Sequence, residues 1–239
     1  MIETFAALLF AHCLADFVLQ TGWIVENKRR LMVLLLHIVI VWSTAAAALG
    51  TVTALPLLYL AVAHLAIDAT KTYGRLEGVG AFLLDQAAHI ATLIVIAVLY
   101  PALWASGPWA AQPSLPALMV LLSGLILAVT AGMYAIGLLM QPYGFLFRSS
   151  GLKNGGRLIG IMERGLIFLF ILQGQATAVG LLIAAKSILR FGTASKDQRS
   201  AEYVIIGTLA SFGWAILMAY ATRGLLALLP TLEIGALIS

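Results

Sequence analysis

Long apolar runs, each bounded by Gly, Pro or charge, alternate along the chain with short polar breaks. They fall near residues 4 to 22, 31 to 49, 55 to 72, 81 to 100, 116 to 140, 158 to 172, 176 to 190 and 203 to 228. About 20 apolar residues in helical form cover the hydrocarbon of a bilayer and satisfy their own backbone groups there, so each run predicts a membrane helix. The sixth and seventh runs are short and separated only by Gln173, Gly174 and Gln175, which leaves one long helix as an alternative. The expected fold is all-α, a polytopic membrane bundle of about eight helices.

Composition agrees with the pattern. At 239 residues, 62% hydrophobic and 10% charged, with a mean hydropathy of +1.03, the chain has no room for a separate soluble domain. Glu3 and the missing basic n-region argue against a cleaved signal, so the first run is read as a permanent span. A single cysteine, Cys13, excludes an intrachain disulfide.

Charge placement orients the bundle. With eight spans, the loops around 23 to 30, 71 to 80, 141 to 157 and 190 to 202 share one side, and every one of the 14 Lys and Arg residues except Arg223 lies in or beside them. That is the positive-inside distribution, so the net charge of +4 speaks for topology rather than for nucleic acid. Fusing spans six and seven would move Lys196 and Arg199 to the other side, which favours eight spans with both termini outside the cytoplasm. The expected location is a bacterial inner membrane. Residues 1–105 form the half that carries the polar chemistry and 106–239 a C-terminal four-helix half, within one compact membrane domain.

Small residues at four-residue spacing, Gly124, Ala128 and Gly132, then Ala176, Gly180 and Ala184, then Gly207, Ser211 and Ala215, read as faces for close helix packing. The polar segment 149 to 157 reads as a solvated connector, because no Lys-Ser or Lys-Thr pair follows its glycines.

The candidate chemistry lies in the first 89 residues, which hold all four histidines: His12, His37, His64 and His89. Three have an aspartate one helical turn away: Asp16, Asp68 and Asp85. Each such pair shares a helix face. The spacing repeats, since His12 to His37 and His64 to His89 are both 25 residues, and a shift of 52 carries Asp16 onto Asp68 and Gly22 onto Gly74. Val33 breaks the repeat where the second copy has Asp85. The reading is a duplicated helical hairpin with a site between its copies. Counted from the cytoplasmic ends, all seven groups fall in one layer about 6 to 15 Å deep. Carboxylates gathered in a low-dielectric medium require compensating charge. Imidazole and carboxylate are ligands for divalent metals, so one or two ions are expected, zinc first, with Mn, Fe or Ni as alternatives. Mutual hydrogen bonding between helices is the competing reading.

At "AHCLADFVLQTGWIVENK" (11 to 28), "HLAIDATK" (64 to 71) and "DQAAH" (85 to 89) the sequence resembles a bacterial membrane family catalogued as domain of unknown function 3307. "AAKSILRF" (184 to 191) and "AEYVIIGTLASF" (201 to 212) resemble the C-terminal part of its longer members. The resemblance implies an integral membrane protein with these His and Asp positions as its polar signature, and no activity.

A metal in such a site polarises an ester, amide or phosphoryl oxygen or activates water. Asp16, Asp68 or Asp85 is the candidate general base if it is not a ligand, and Gln20 and Gln86 could orient water or substrate. Lys71 and Arg75 stand at the mouth, where they could hold phosphate, with topological charge as the plainer explanation. Later in the chain, Arg164 and Lys186 could form the anion side of a substrate cleft, with pairing to Glu163 as the plainer explanation. The function expected is metal-dependent hydrolysis of an amphiphilic substrate, a lipid head group or a membrane peptide, at the cytoplasmic interface. The alternatives are a divalent metal-ion transporter and a structural or sensing metal site.

Overall fold

A computed structural model describes residues 1–144, 154–191 and 198–230. The polar segment 149 to 153 and Lys196 therefore lie outside the described residues. All regular elements among the described residues are helical. They are α1 (Ile2–Leu14), α2 (Gly22–Asn27), α3 (Leu31–Leu49), α4 (Leu55–Tyr73), α5 (Gly78–Leu99), α6 (Leu115–Ile126), α7 (Gly132–Gly144), α8 (Gly155–Leu172), α9 (Ala176–Phe191) and α10 (Gln198–Leu226), with π-helical turns at Ala15–Leu19 and Leu127–Ala131 and a short 3-10 turn at Pro108–Ala111.

Five helical stretches are long and apolar enough to cross a membrane: Ile2–Leu19, Leu31–Leu49, Gly78–Leu99, Leu115–Tyr143 and Ala201–Leu226. Leu84, Leu99, Leu181, Leu209 and Leu217 are exposed, while a mostly apolar core also encloses His12, His37, His64 and Asp68. Apolar faces turned outward around a few buried polar groups are what lipid as solvent selects. This is a membrane protein.

Two boundaries differ from the sequence pattern. The first apolar run is not one helix to residue 22: α1 loosens into the π turn, Gln20 becomes extended (φ −73°, ψ 93°), and Thr21 caps a new helix by accepting the Ile24 N–H at 3.4 Å. Residues first read as loop thus begin with α2. The sixth and seventh runs are separate helices, because Gly174 takes φ +73° and the Gln175 N–H turns back to Phe170 O at 2.8 Å.

The contacts divide the chain into two units. One is Met1–Ile126 with the stretch beginning at Gly224, and the other is Leu127–Arg223. In the first unit α1 is central: it packs on α3, α5 and α6, while α3 packs on α4 and α4 on α5. Gly50 closes α3 in the left-handed region (φ +71°), with Thr51 N–H bonded to Ala46 O at 3.0 Å. A side chain there would meet the Pro108 ring at 2.4 Å, so both backbone and packing require glycine.

In the second unit α8 packs on the Leu127–Ala131 turn, on α7 and on α9. Side chains of α8 and α10 reach carbonyls of the π turn. Arg164 Nε and Nη2 donate to Val129 O at 3.3 and 3.1 Å, and Trp214 Nε1 donates to Leu127 O at 2.9 Å. Of the three small-residue stripes, Gly124, Ala128, Gly132, Ser211 and Ala215 are buried as expected of packing faces. Ala176, Gly180 and Ala184 on α9 are exposed among the described residues, so that stripe is not buried as the packing reading expects.

Candidate metal centre

Four helices bring the seven predicted residues together. His12 comes from α1, Asp16 from its π turn, His37 from α3, His64 and Asp68 from α4, and Asp85 and His89 from α5. The one-turn spacing puts each His and Asp pair on a single face, and the central position of α1 turns those faces toward each other. All four histidines are at most 3% exposed, and the three carboxylates are nearly as deep.

One group is tight. His37 Nε2 and His64 Nε2 are 3.2 Å apart. Asp16 Oδ1 lies 3.4 Å from the first and 3.5 Å from the second, and Asp68 Oδ2 lies 3.5 Å from both. Ligands about 2.0 to 2.2 Å from a tetrahedral zinc ion are about 3.3 to 3.6 Å from one another, and these five separations lie close to that range.

The other two histidines are held by one ring nitrogen with the second left over. His89 Nδ1 donates to the backbone carbonyl of Asp85 at 2.8 Å, and its Nε2 is buried without a hydrogen-bond partner among the described residues. His12 Nε2 donates to Gln86 Oε1 at 3.2 Å, and its Nδ1 is likewise buried and unbonded, 3.8 Å from Asp16 Oδ2. A ring nitrogen fixed by a carbonyl, with its opposite nitrogen bare, is how proteins prepare an imidazole to bind a cation. Three overlapping groups have the geometry to hold an ion: His12, Asp16 and His64; His37, His64 and Asp68; Asp68, Asp85 and His89. They contain the seven predicted residues and no others among the described ones.

Two lysines enter the cluster. Lys28 Nζ is 2.8 Å from Asp68 Oδ2, and Lys71 Nζ is 2.7 Å from Asp85 Oδ2. Two of the three carboxylates thus have an ammonium partner, and Asp16 has only imidazoles beside it among the described residues. Sequence reasoning treated Lys28 as topological charge alone. The signal available was its place in the first polar break, directly after the helix that carries His12 and Asp16.

The remaining predicted residues are placed as follows. Gln86 joins the cluster, accepting from His12 and donating to Asp85 Oδ2 at 3.1 Å. Gln20 ends the π turn with its amide nitrogen buried and unbonded among the described residues. Arg75 is exposed in the α4–α5 turn with φ +53°. Arg164 and Lys186 belong to the second unit, where Lys186 Nζ pairs with Glu163 Oε2 at 2.7 Å.

The family resemblance holds at this point in the molecule. The family model described as "Protein of unknown function (DUF3307)" matches residues 4–113. That stretch contains all seven cluster residues and both lysines. No curated protein and no solved structure matches the chain.

Proposed function

We propose that the seven residues form a divalent metal centre and that the protein is a membrane-embedded hydrolase of an amphiphilic substrate. The observation that carries this reading is the five separations of 3.2 to 3.5 Å that link His37 and His64 to each other and to Asp16 and Asp68, beside the two bare ring nitrogens of His12 and His89. Asp68 and His64 each belong to two of the three ion-holding groups, which favours two ions sharing ligands, with zinc the first choice for a His and carboxylate set. A bound ion here supplies Lewis acidity toward an ester, amide or phosphoryl oxygen and activates water.

The chain's own groups do the rest. Asp85 Oδ1 has no hydrogen-bond partner among the described residues while Lys71 and Gln86 hold Oδ2, and Asp16 Oδ1 is likewise unpartnered, so whichever of these carboxylates is not a ligand is the candidate to take a proton. A groove of 330 Å³ between α4 and α5, walled by Ile67, Leu76 and Leu84, has Lys71 and Asp85 among its lining. Apolar walls beside a charged pair suit a substrate with a polar head and a hydrocarbon body.

The helix ends far from the cluster favour hydrolysis over transport. Thr4 is spent on Pro101 O and Trp104 N, Thr44 bonds Ile40 and Val41 carbonyls, Thr92 bonds Ala88 O, and the Tyr59 and Tyr100 rings lie against each other. None of these offers an ion a way across. The full reading is eight spans built on a duplicated first hairpin, in an inner membrane, with the centre on the cytoplasmic side and both termini opposite.

The test is elemental analysis of the detergent-purified protein beside His64→Ala and Asp68→Ala, followed by assay of wild type on a phospholipid and peptide panel and for metal uptake into sealed vesicles. One to two ions per chain, lost in both variants, and turnover without uptake are expected. Metal-free wild type sinks the centre, and uptake without turnover sinks the hydrolase.

A further inference from the structure

The second unit has a cleft of its own. It measures 530 Å³ and is bounded by α7, α8, α9 and α10, with Met133, Ile136, Met140 and Val204 as its apolar wall and Glu163, Arg164 and Lys186 as its polar one. Charge in it does not balance. Glu163 is taken by Lys186 at 2.7 Å, and Arg164, only 3% exposed, has no carboxylate within ion-pair distance among the described residues.

Arg164 is also incompletely used. A guanidinium has five N–H donors. Three go to neutral acceptors: Nε and Nη2 to Val129 O, and Nη1 to Ser211 Oγ at 3.1 Å. A buried cation facing a cavity with donors to spare is costly unless an anion completes it. Gly160 and Gly132 reinforce the placement, since a Cβ on Gly160 would come within 2.9 Å of Arg164 Nη1 and one on Gly132 within 3.0 Å of its Cδ. The backbone is cut away around this one side chain.

From this we infer that the cleft binds an anionic phospholipid of the surrounding bilayer, with the head-group phosphate on Arg164 and Lys186 and the upper acyl chains along Met133, Ile136 and Met140. The apolar wall excludes a purely polar anion as the best fit, and the unpaired guanidinium excludes a neutral lipid. Gly207 is open enough to serve as a probe. Its Cβ would rest in ordinary contact with Met140 at 3.6 Å, and a longer side chain from there fills the space.

The experiment is native mass spectrometry of the full-length protein, delipidated in mild detergent and offered phosphatidylglycerol or phosphatidylcholine with identical chains. Wild type is expected to retain phosphatidylglycerol about tenfold better. Lys186→Gln, which removes head-group charge, and Gly207→Leu, which fills the cleft without touching charge, should each bring retention down to the phosphatidylcholine level. Circular dichroism and a single size-exclusion peak establish that both variants are folded. Equal retention of the two lipids by wild type overturns the inference, as does a folded Gly207→Leu that binds like wild type. Complete displacement of lipid by millimolar inorganic phosphate also overturns it, in favour of a site for free anions.

Discussion

Lys28 and Asp68 meet at 2.8 Å, ammonium to carboxylate oxygen, and the oxygen involved is the Oδ2 that also stands 3.5 Å from both His37 Nε2 and His64 Nε2. One carboxylate oxygen therefore serves two claims, as counterion to a lysine and as a vertex of the proposed ligand set. The break at Gln20 and Thr21 starts α2 as a separate helix, and Lys28 follows at its end.

Replacing that lysine separates the two claims. Lys28→Met should lower the stability of the metal-free protein by about 3 kcal/mol, the scale for stranding one member of a largely buried pair. It should also raise zinc affinity about tenfold, since Asp68 is freed for the ion. Denaturation midpoints with and without zinc, and calorimetric titration, check both signs. Lower stability with no gain in affinity would show that the lysine, not a metal, is the natural partner of Asp68.

Gln86 offers a second test. It fixes the His12 ring by accepting from Nε2, which aims Nδ1 at Asp16. Gln86→Ala should weaken metal binding about 10-fold to 100-fold, as removal of a ligand-orienting partner does, with little change in helix content. Metal retention during dialysis against graded chelator reads the effect. An unchanged off-rate would remove His12 from the ligand set.

Asp16 alone among the three carboxylates has no lysine beside it among the described residues. Asp16→Asn keeps its shape and removes its charge, so it should cost more metal affinity than Asp85→Asn, whose oxygen Oδ2 is already held by Lys71 at 2.7 Å. Elemental analysis of the two variants side by side gives the order. The reverse order would move the centre toward α5.

Gly132→Ala tests the second unit without any ligand. Its Cβ would fall 2.7 Å from the Trp214 ring and 3.0 Å from Arg164 Cδ, the two side chains that donate to the π-turn carbonyls. A loss of about 1 to 3 kcal/mol is expected, the usual cost of overpacking. Gly137→Ala, whose Cβ would meet nothing within 4 Å, is the control and should be near neutral.

Much of this molecule is written in one dimension. Apolar run length determines the helices, because backbone groups in lipid have no other way to be satisfied. The one-turn spacing of His12 with Asp16, His64 with Asp68 and Asp85 with His89 determines that each pair shares a face, since 3.6 residues per turn is a local property. With the 25-residue repeat that adds His37, these two facts name the seven His and Asp residues of the cluster, though not its lysines or Gln86. Tertiary structure alone decided the rest. It chose which nitrogen of His12 and of His89 is tied and which is bare, because that depends on a carbonyl or amide lying within reach in three dimensions. It drew Lys28 and Lys71 inward as partners of Asp68 and Asp85, though pattern alone counts them as surface charge, because a long flexible side chain goes wherever a buried carboxylate most lowers its energy. It also gave Arg164 to a π-turn carbonyl and left it without a counter-charge among the described residues, a relation between helices that no spacing along the chain encodes.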